Sequence, residues 1–122
     1  MADNELCWTP ATALADAVRT GSVSPTEIAV EFADRIEAVN PRLNAYIHFD
    51  REQVLADAAS LQQDVADGNT RGPLHGVPFS IKGLTTMAGL PFDSSLKPLA
   101  GTVGTHDATV VTRLKAAGGL LV

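Results

Sequence analysis

Cysteine is nearly missing from this chain. Cys7 stands alone among 122 residues, which excludes a disulfide framework and a cysteine-based zinc cluster. Positive charge is scarce too: 9 Lys and Arg stand against 14 Asp and Glu, a formal net charge of −5. A nucleic-acid binder needs a basic face to meet phosphates, and anionic lipid is met by clustered Lys and Arg. Neither pattern is here. No apolar run approaches the ~18 residues of a membrane span. The opening "MADNEL" is acidic and lacks the basic-then-apolar order of a signal peptide. His48, His75 and His106 are scattered, with no helical ligand spacing, so no metal site is expected. The expectation is a cytoplasmic protein with no nucleic acid, no membrane and no cofactor among its partners. What is present is a globular composition, 45% hydrophobic and 19% charged, at a length that suits one domain.

Thr9-Pro10 opens a first helical pattern, with Leu14, Ala17 and Val18 at helical spacing and Gly21 as its stop. "SPTE" then predicts a capped start: Ser24 as N-cap, Pro25 in the first position and Glu27 completing a capping box. Ile28, Phe32, Ile36 and Val39 line one face of that helix, and Asn40-Pro41 is expected to end it. "AYIHF", Ala45 to Phe49, reads as a short strand. Asp50 caps a further helix, with Gln53 reaching back and Val54, Leu55, Ala58, Leu61 and Val65 as its apolar stripe. Gly68-Asn69 ends it. "PFSI" is the next strand. Gly83 to Thr105 is a long loop rich in Gly, Pro, Thr and Ser, a kind that is usually functional or disordered. Asp107 to Ala117 is helical again, with Val110, Val111 and Leu114 facing inward, and "LLV" begins a strand. Trp8 is assigned to the core by default. Helices alternating with short apolar strands predict an α/β layered fold. A chain whose last residues open a strand directly after a helix C-cap is expected to be an incomplete, truncated segment with an open sheet edge.

"GPLHGVPFSIKG", Gly72 to Gly83, places Lys82 at the end of an apolar run. This block resembles the lysine motif of the amidase signature hydrolases, Gly-Pro-Leu-x-Gly-x-Pro followed by alternating hydrophobic residues and Lys-Asp. "GSVSPTEIAVEFADRIEAVNPRLNAYI" resembles that family's N-terminal helix pair, and "HDATVVTRLKAAGG" the helix before its Gly-Lys-Thr-Asn segment. The resemblance covers about Thr9 to Val122. "DSSLK" followed by "THDA" is similar to the branch that hydrolyses nylon-oligomer cyclic dimers.

The resemblance implies that residues 1–122 form the N-terminal segment of an α/β/α sandwich around a mixed sheet. It implies hydrolysis of C–N bonds in linear or cyclic amides by a Ser–cis-Ser–Lys triad, with a small-molecule amide as partner and homo-oligomers in many members. The family's lysine maps onto Lys82, the general base. Both triad serines lie beyond the position of Val122, so the chain alone is expected to be inactive. Gly83 stands where the family commonly has Asp. Ser94 and Ser95, in the long loop, are the local residues expected to line the substrate site. Ser80, two residues before Lys82, shares its face if the segment is a strand. Alternatives are the A-type amidotransferase component, which shares the lysine motif, and a non-catalytic remnant or self-associating interaction module.

For a lysine to act as a base its amine must be neutral. A free amine titrates near ~10.4, which leaves about one in ~2,500 neutral at pH 7. Withdrawal from water disfavours the ammonium, and a shift of ~3 units amounts to ~4 kcal/mol. The expectation is therefore that an apolar strand carries the Lys82 amine into a covered site.

Overall fold

A computed structural model describes residues 5–122. A 3₁₀ turn at Leu6–Trp8 leads into α1 (Ala11–Thr20), α2 (Pro25–Leu43) and α3 (Arg51–Ala66). Then come β1 (Pro78–Phe79), a second 3₁₀ turn at Lys97–Leu99, α4 (Thr109–Ala116) and β2 (Leu120–Leu121). The two strands pair in parallel, Pro78 with Leu120 and Phe79 with Leu121. Parallel neighbours need a long crossover, and here it carries the loop and α4. Leu120 donates its N–H to the Val77 carbonyl at 2.8 Å, and Val122 to Phe79 at 3.0 Å.

The helix starts follow from the local chemistry anticipated above. Ser24 Oγ accepts the Glu27 N–H at 3.1 Å, and Glu27 Oε2 accepts the Ser24 N–H at 2.8 Å. That reciprocal box satisfies two donors that a helix start otherwise leaves orphaned. The Ser24 backbone N–H, and next its hydroxyl, hold the Glu27 carboxyl below the usual carboxylate range. Depression stabilises the fold above the unfolded pKa, and the contribution is lost as pH falls through the folded value. Ser24→Ala is expected to lower stability by about 1 kcal/mol at neutral pH. The share due to the lost hydroxyl on the Glu27 carboxylate should fade as acid neutralises Glu27, while the share due to the lost Oγ on the Glu27 N–H persists; a urea-midpoint deficit that grows in acid would contradict the box. Asp50 caps α3 by accepting the Gln53 N–H at 3.1 Å. Gln53 does not reach back as expected: its amide bonds Asp57 one turn on, at 2.9 Å.

The apolar stripes meet in two clusters that share α2. Leu14, Val18, Ile28 and Val77 form one, with Phe32, Val65 and Leu74 at its margin. Ala29, Val54, Ala58, Leu61 and Leu120 form the other, which lays α3 on one face of the strand pair. Each large side chain fully buried here contributes about 1.5–3 kcal/mol.

Four expectations are corrected. α2 does not end at Asn40-Pro41; it runs through Pro41 to Leu43 and is capped by Asn44 in the left-handed region at φ 51°. Proline costs the hydrogen bond of its own missing N–H, which is tolerable in a last, exposed turn that closes by Asn44 N–H to Asn40 O at 2.7 Å. Ala45–Phe49 is not a strand. Asn40 takes both backbone groups of Tyr46 that a ladder would use, accepting its N–H at 2.9 Å and donating to its carbonyl at 3.1 Å. Trp8 is 74% exposed rather than core, because the turn that carries it lays the ring under the Arg35 guanidinium, 5.2 Å from the ring centre. Val110 points to solvent while Val111 is buried and Leu114 half-buried, because successive residues of α4 lie about 100° apart and the inward face falls on Val111.

The long loop is ordered by its own ladder. Gly89 donates to the Gly104 carbonyl and Gly104 to that of Leu90, both at 2.9 Å. A side chain at Gly104 would run into the Met87 carbonyl, so glycine is what lets the two arms of the loop touch.

Candidate active site

The motif turn before β1 is held from two sides. His75 is buried; its Nδ1 accepts the Arg71 N–H at 3.0 Å and its Nε2 meets the Leu61 carbonyl at 2.8 Å. The first bond needs a bare Nδ1, which leaves the hydrogen on Nε2 to be donated to Leu61. That ties the turn to α3. Leu74 donates to the Ala117 carbonyl and Gly76 to that of Gly118, both at 2.9 Å. That ties it to the end of α4. His75 is therefore a structural side chain that fixes the turn.

From this anchored turn β1 sends the chain outward, and the ladder stops at Phe79. Ser80 and Lys82 are exposed and Ile81 is half-buried. The expected strand carrying Lys82 into a covered site is thus not what this chain builds. With β2 paired only to Pro78 and Phe79, nothing extends the ladder to residue 82, and the premise that Ser80 and Lys82 share a strand face lapses with it. The Lys82 carbonyl instead accepts the Thr85 N–H at 2.9 Å, and the chain turns at once into the long loop.

Lys82 lines a cleft of about 580 Å³. Ala45–Phe49, Leu121, Val122, Ser94 and Ser95 line it as well. Lys82, Ser94 and Ser95 thus all line this one cleft. Both serines adopt the left-handed region, with φ of 50° and 58°, which is unusual for residues bearing a Cβ. Asp93 compensates by accepting the Ser95 N–H at 2.8 Å, and Ser94 donates to the Gly83 carbonyl at 3.3 Å. The loop's far end is pinned by Asp107, which accepts from Lys115 at 2.7 Å and from the Ala88 N–H at 2.9 Å. Those two donors, Lys115 first, hold its carboxyl below the usual range.

The wall at Ala45–Phe49 was missed as a site element, because its aliphatic and aromatic residues read as a strand. His48 lines the cleft from it. His106 bonds only the neighbouring Thr105 hydroxyl through its ring, at 3.2 Å. No group of three His, Cys, Asp or Glu side chains is placed to hold a metal among the described residues. No helix among them is long and apolar enough to cross a membrane.

Residues 27–122 match the protein family described as Amidase. An acylamidase of Rhodococcus erythropolis is 48% identical over 120 residues, 98% of this chain and 25% of that protein. The A component of the glutamyl-tRNA(Gln) amidotransferase of Carboxydothermus hydrogenoformans is 37% identical over 116 residues, 95% of this chain and 24% of the relative. The native peptide amidase of Stenotrophomonas maltophilia superposes with a TM-score of 0.87 at 29% identity, covering 98% of this chain and 25% of that one. The chain spans about a quarter of the length of the relatives it matches, and its α/β fold is that of the corresponding part of the solved amidases. With the lysine segment, the strand pair and the cluster of Ala29, Val54, Ala58, Leu61 and Leu120 inside the matched residues, the chain belongs to the amidase (amidase signature) family.

Proposed function

We propose that this chain is the N-terminal, lysine-bearing part of an enzyme that hydrolyses the C–N bond of small acyl amides. Lys82 is the general base, acting through a serine relay on a nucleophilic serine. Neither of those serines is among the residues of this chain. The observation that carries the reading is that Lys82 shares one cleft with Ser94 and Ser95 inside the family-matched residues. In this reading Ser94 and Ser95 line the substrate side.

By itself the chain hydrolyses no amide. A base without a nucleophile has nothing to activate, and without oxyanion donors the tetrahedral intermediate has no stabilisation. The exposure of Lys82 points the same way. The water-free surroundings that a neutral amine needs have to come from elements beyond the cleft described above. The test joins this chain to the remaining three quarters of the Rhodococcus acylamidase and measures release of amine from a simple acyl amide. The joined protein is expected to turn over, and the purified 122-residue chain is not. Turnover by the isolated chain, or a silent but folded joined protein, would overturn the proposal.

The similarity to the A component of an amidotransferase supports a second reading, in which the amide is that of glutamine and the ammonia passes to a charged tRNA. Glutamine-dependent transamidation with the partner proteins separates the two. Within the first reading, the nylon-oligomer branch rests on the Asp93–Lys97 and Thr105–Ala108 segments alone, and cyclic against linear amides in the same assay decide it. A cytoplasmic setting and homo-oligomer formation belong to the same proposal, the former in keeping with the free thiol of Cys7. A non-catalytic, self-associating role is the outcome if the joined protein folds and stays silent.

A further inference from the structure

We propose that Ile47 is a positioning residue for Lys82, acting by seating its δ-methyl over the bare α-carbon of Gly83. The functional weight of this contact rests on the reading of Lys82 as the base; the contact itself does not.

The backbone on either side of Gly83 is clamped. The Lys82 carbonyl accepts the Thr85 N–H at 2.9 Å, and the Gly83 carbonyl accepts the Ser94 N–H at 3.3 Å. What is left open is the side on which a side chain would project. A Cβ placed there would lie 2.8 Å from Ile47 Cδ1 and 3.9 Å from Ile47 Cγ1, and would meet no other atom within 4 Å among the described residues outside 82–84. Among those residues Ile47 alone fills that seat. Gly83 also lies outside the left-handed region, so its backbone does not require glycine. The missing side chain serves the contact.

Ile47 is well placed to act as a stop. It is 59% exposed as a residue, so it is not a core side chain whose tip happens to graze the loop. The segment that presents it is braced on α2 by both hydrogen bonds between Asn40 and Tyr46. Tyr46 in turn meets Phe49 edge-on, 6.3 Å between ring centres. Ile47, Lys82 and Gly83 all line the one cleft. The δ-methyl therefore limits how the backbone can swing at Gly83, and with it the direction in which Lys82 leaves the chain. Any side chain at position 83 would have to displace that methyl.

The experiment is a double-substitution cycle on the 122-residue chain, read by NMR of lysines labelled with carbon-13 at the ε-methylene. Lys82, Lys97 and Lys115 are its only lysines, so two serve as internal references. Ile47→Val removes Cδ1 and little else. Gly83→Ala evicts that methyl at small cost in stability, because it is the free end of a flexible side chain. Each is expected to shift the Lys82 signal while Lys97 and Lys115 stay in place. The double variant is expected to shift it no further than one alone, because both remove the same contact. Ile47→Leu, which keeps δ-carbons, should move it less than Ile47→Val. A Lys82 signal unmoved by either substitution, two shifts that simply add, or equal movement of all three lysines would overturn the proposal. The cycle needs no catalysis, so failure of the joined-enzyme assay leaves its answer intact, and the reverse also holds.

Discussion

Lys82→Ala, placed in the joined enzyme, is expected to lower kcat/KM for an acyl amide by about 10³-fold or more. General acid–base catalysis contributes about 10²–10⁴-fold, and removing one member of a group that acts as a unit disables the rest. The more telling variant is Lys82→Arg. It keeps the positive charge and much of the reach, but a guanidinium stays protonated and cannot accept a proton. If Lys82 is the base, arginine is as damaging as alanine. If Lys82 only attracts a negative group, arginine retains most of the activity. Ser94→Ala should behave differently, raising KM with kcat largely kept, since a residue that only binds substrate acts on ground and transition states alike. Steady-state kinetics of the three variants decide the matter. Full activity in Lys82→Ala would remove the assignment altogether.

Gly118→Ala is expected to be strongly destabilising, costing about 3–4 kcal/mol and roughly 15 °C in Tm. Two costs add at this residue. Its φ of 88° lies in the region that residues with a Cβ avoid, worth about 1–2 kcal/mol. The new methyl would also lie 2.8 Å from His75 Cα and 3.1 Å from His75 N. Those are backbone atoms of the motif turn and cannot step aside. That turn is fixed through the buried imidazole and through the Gly76 N–H to the Gly118 carbonyl. Gly68→Ala is the control. Its φ is similar at 76°, but nothing lies within 4 Å of the added carbon, so only the conformational cost applies. Thermal unfolding of the two variants should differ by more than a factor of two in loss. Equal losses would mean that the contact with His75 yields, and that the turn is not the rigid base from which Lys82 is presented.

Much of this fold is legible in the residues because the signals are local. Ser24 and Glu27 specify their own helix start, Asp50 its own cap, and the spacing of Val54, Ala58 and Leu61 its own buried face. The lysine segment was legible as a block for a similar reason, since its glycines and prolines fix the turn that the structure shows. What was not legible depends on partners far away in sequence. Ala45–Phe49 has strand chemistry, but a strand exists only beside another strand, and Asn40 captured the backbone of Tyr46 first. The exposure of Lys82 is a property of whatever surrounds it, and no periodicity within Gly72–Gly83 carries that information. The meeting of Ile47 with Gly83 is likewise a contact between side chain and empty space, for which a sequence has no mark.

The parallel pairing of Pro78 with Leu120 has a consequence for the order of events as the chain folds. Helices α1, α2 and α3 can find one another early, because their contacts join neighbours along the chain. The strand pair must wait until the whole connection between Phe79 and Leu120 has been drawn closed, at an entropic cost that is repaid only once Leu120 settles against α3. The stretch that carries Lys82 is therefore among the last to be fixed, and it inherits its direction from a helical platform already in place.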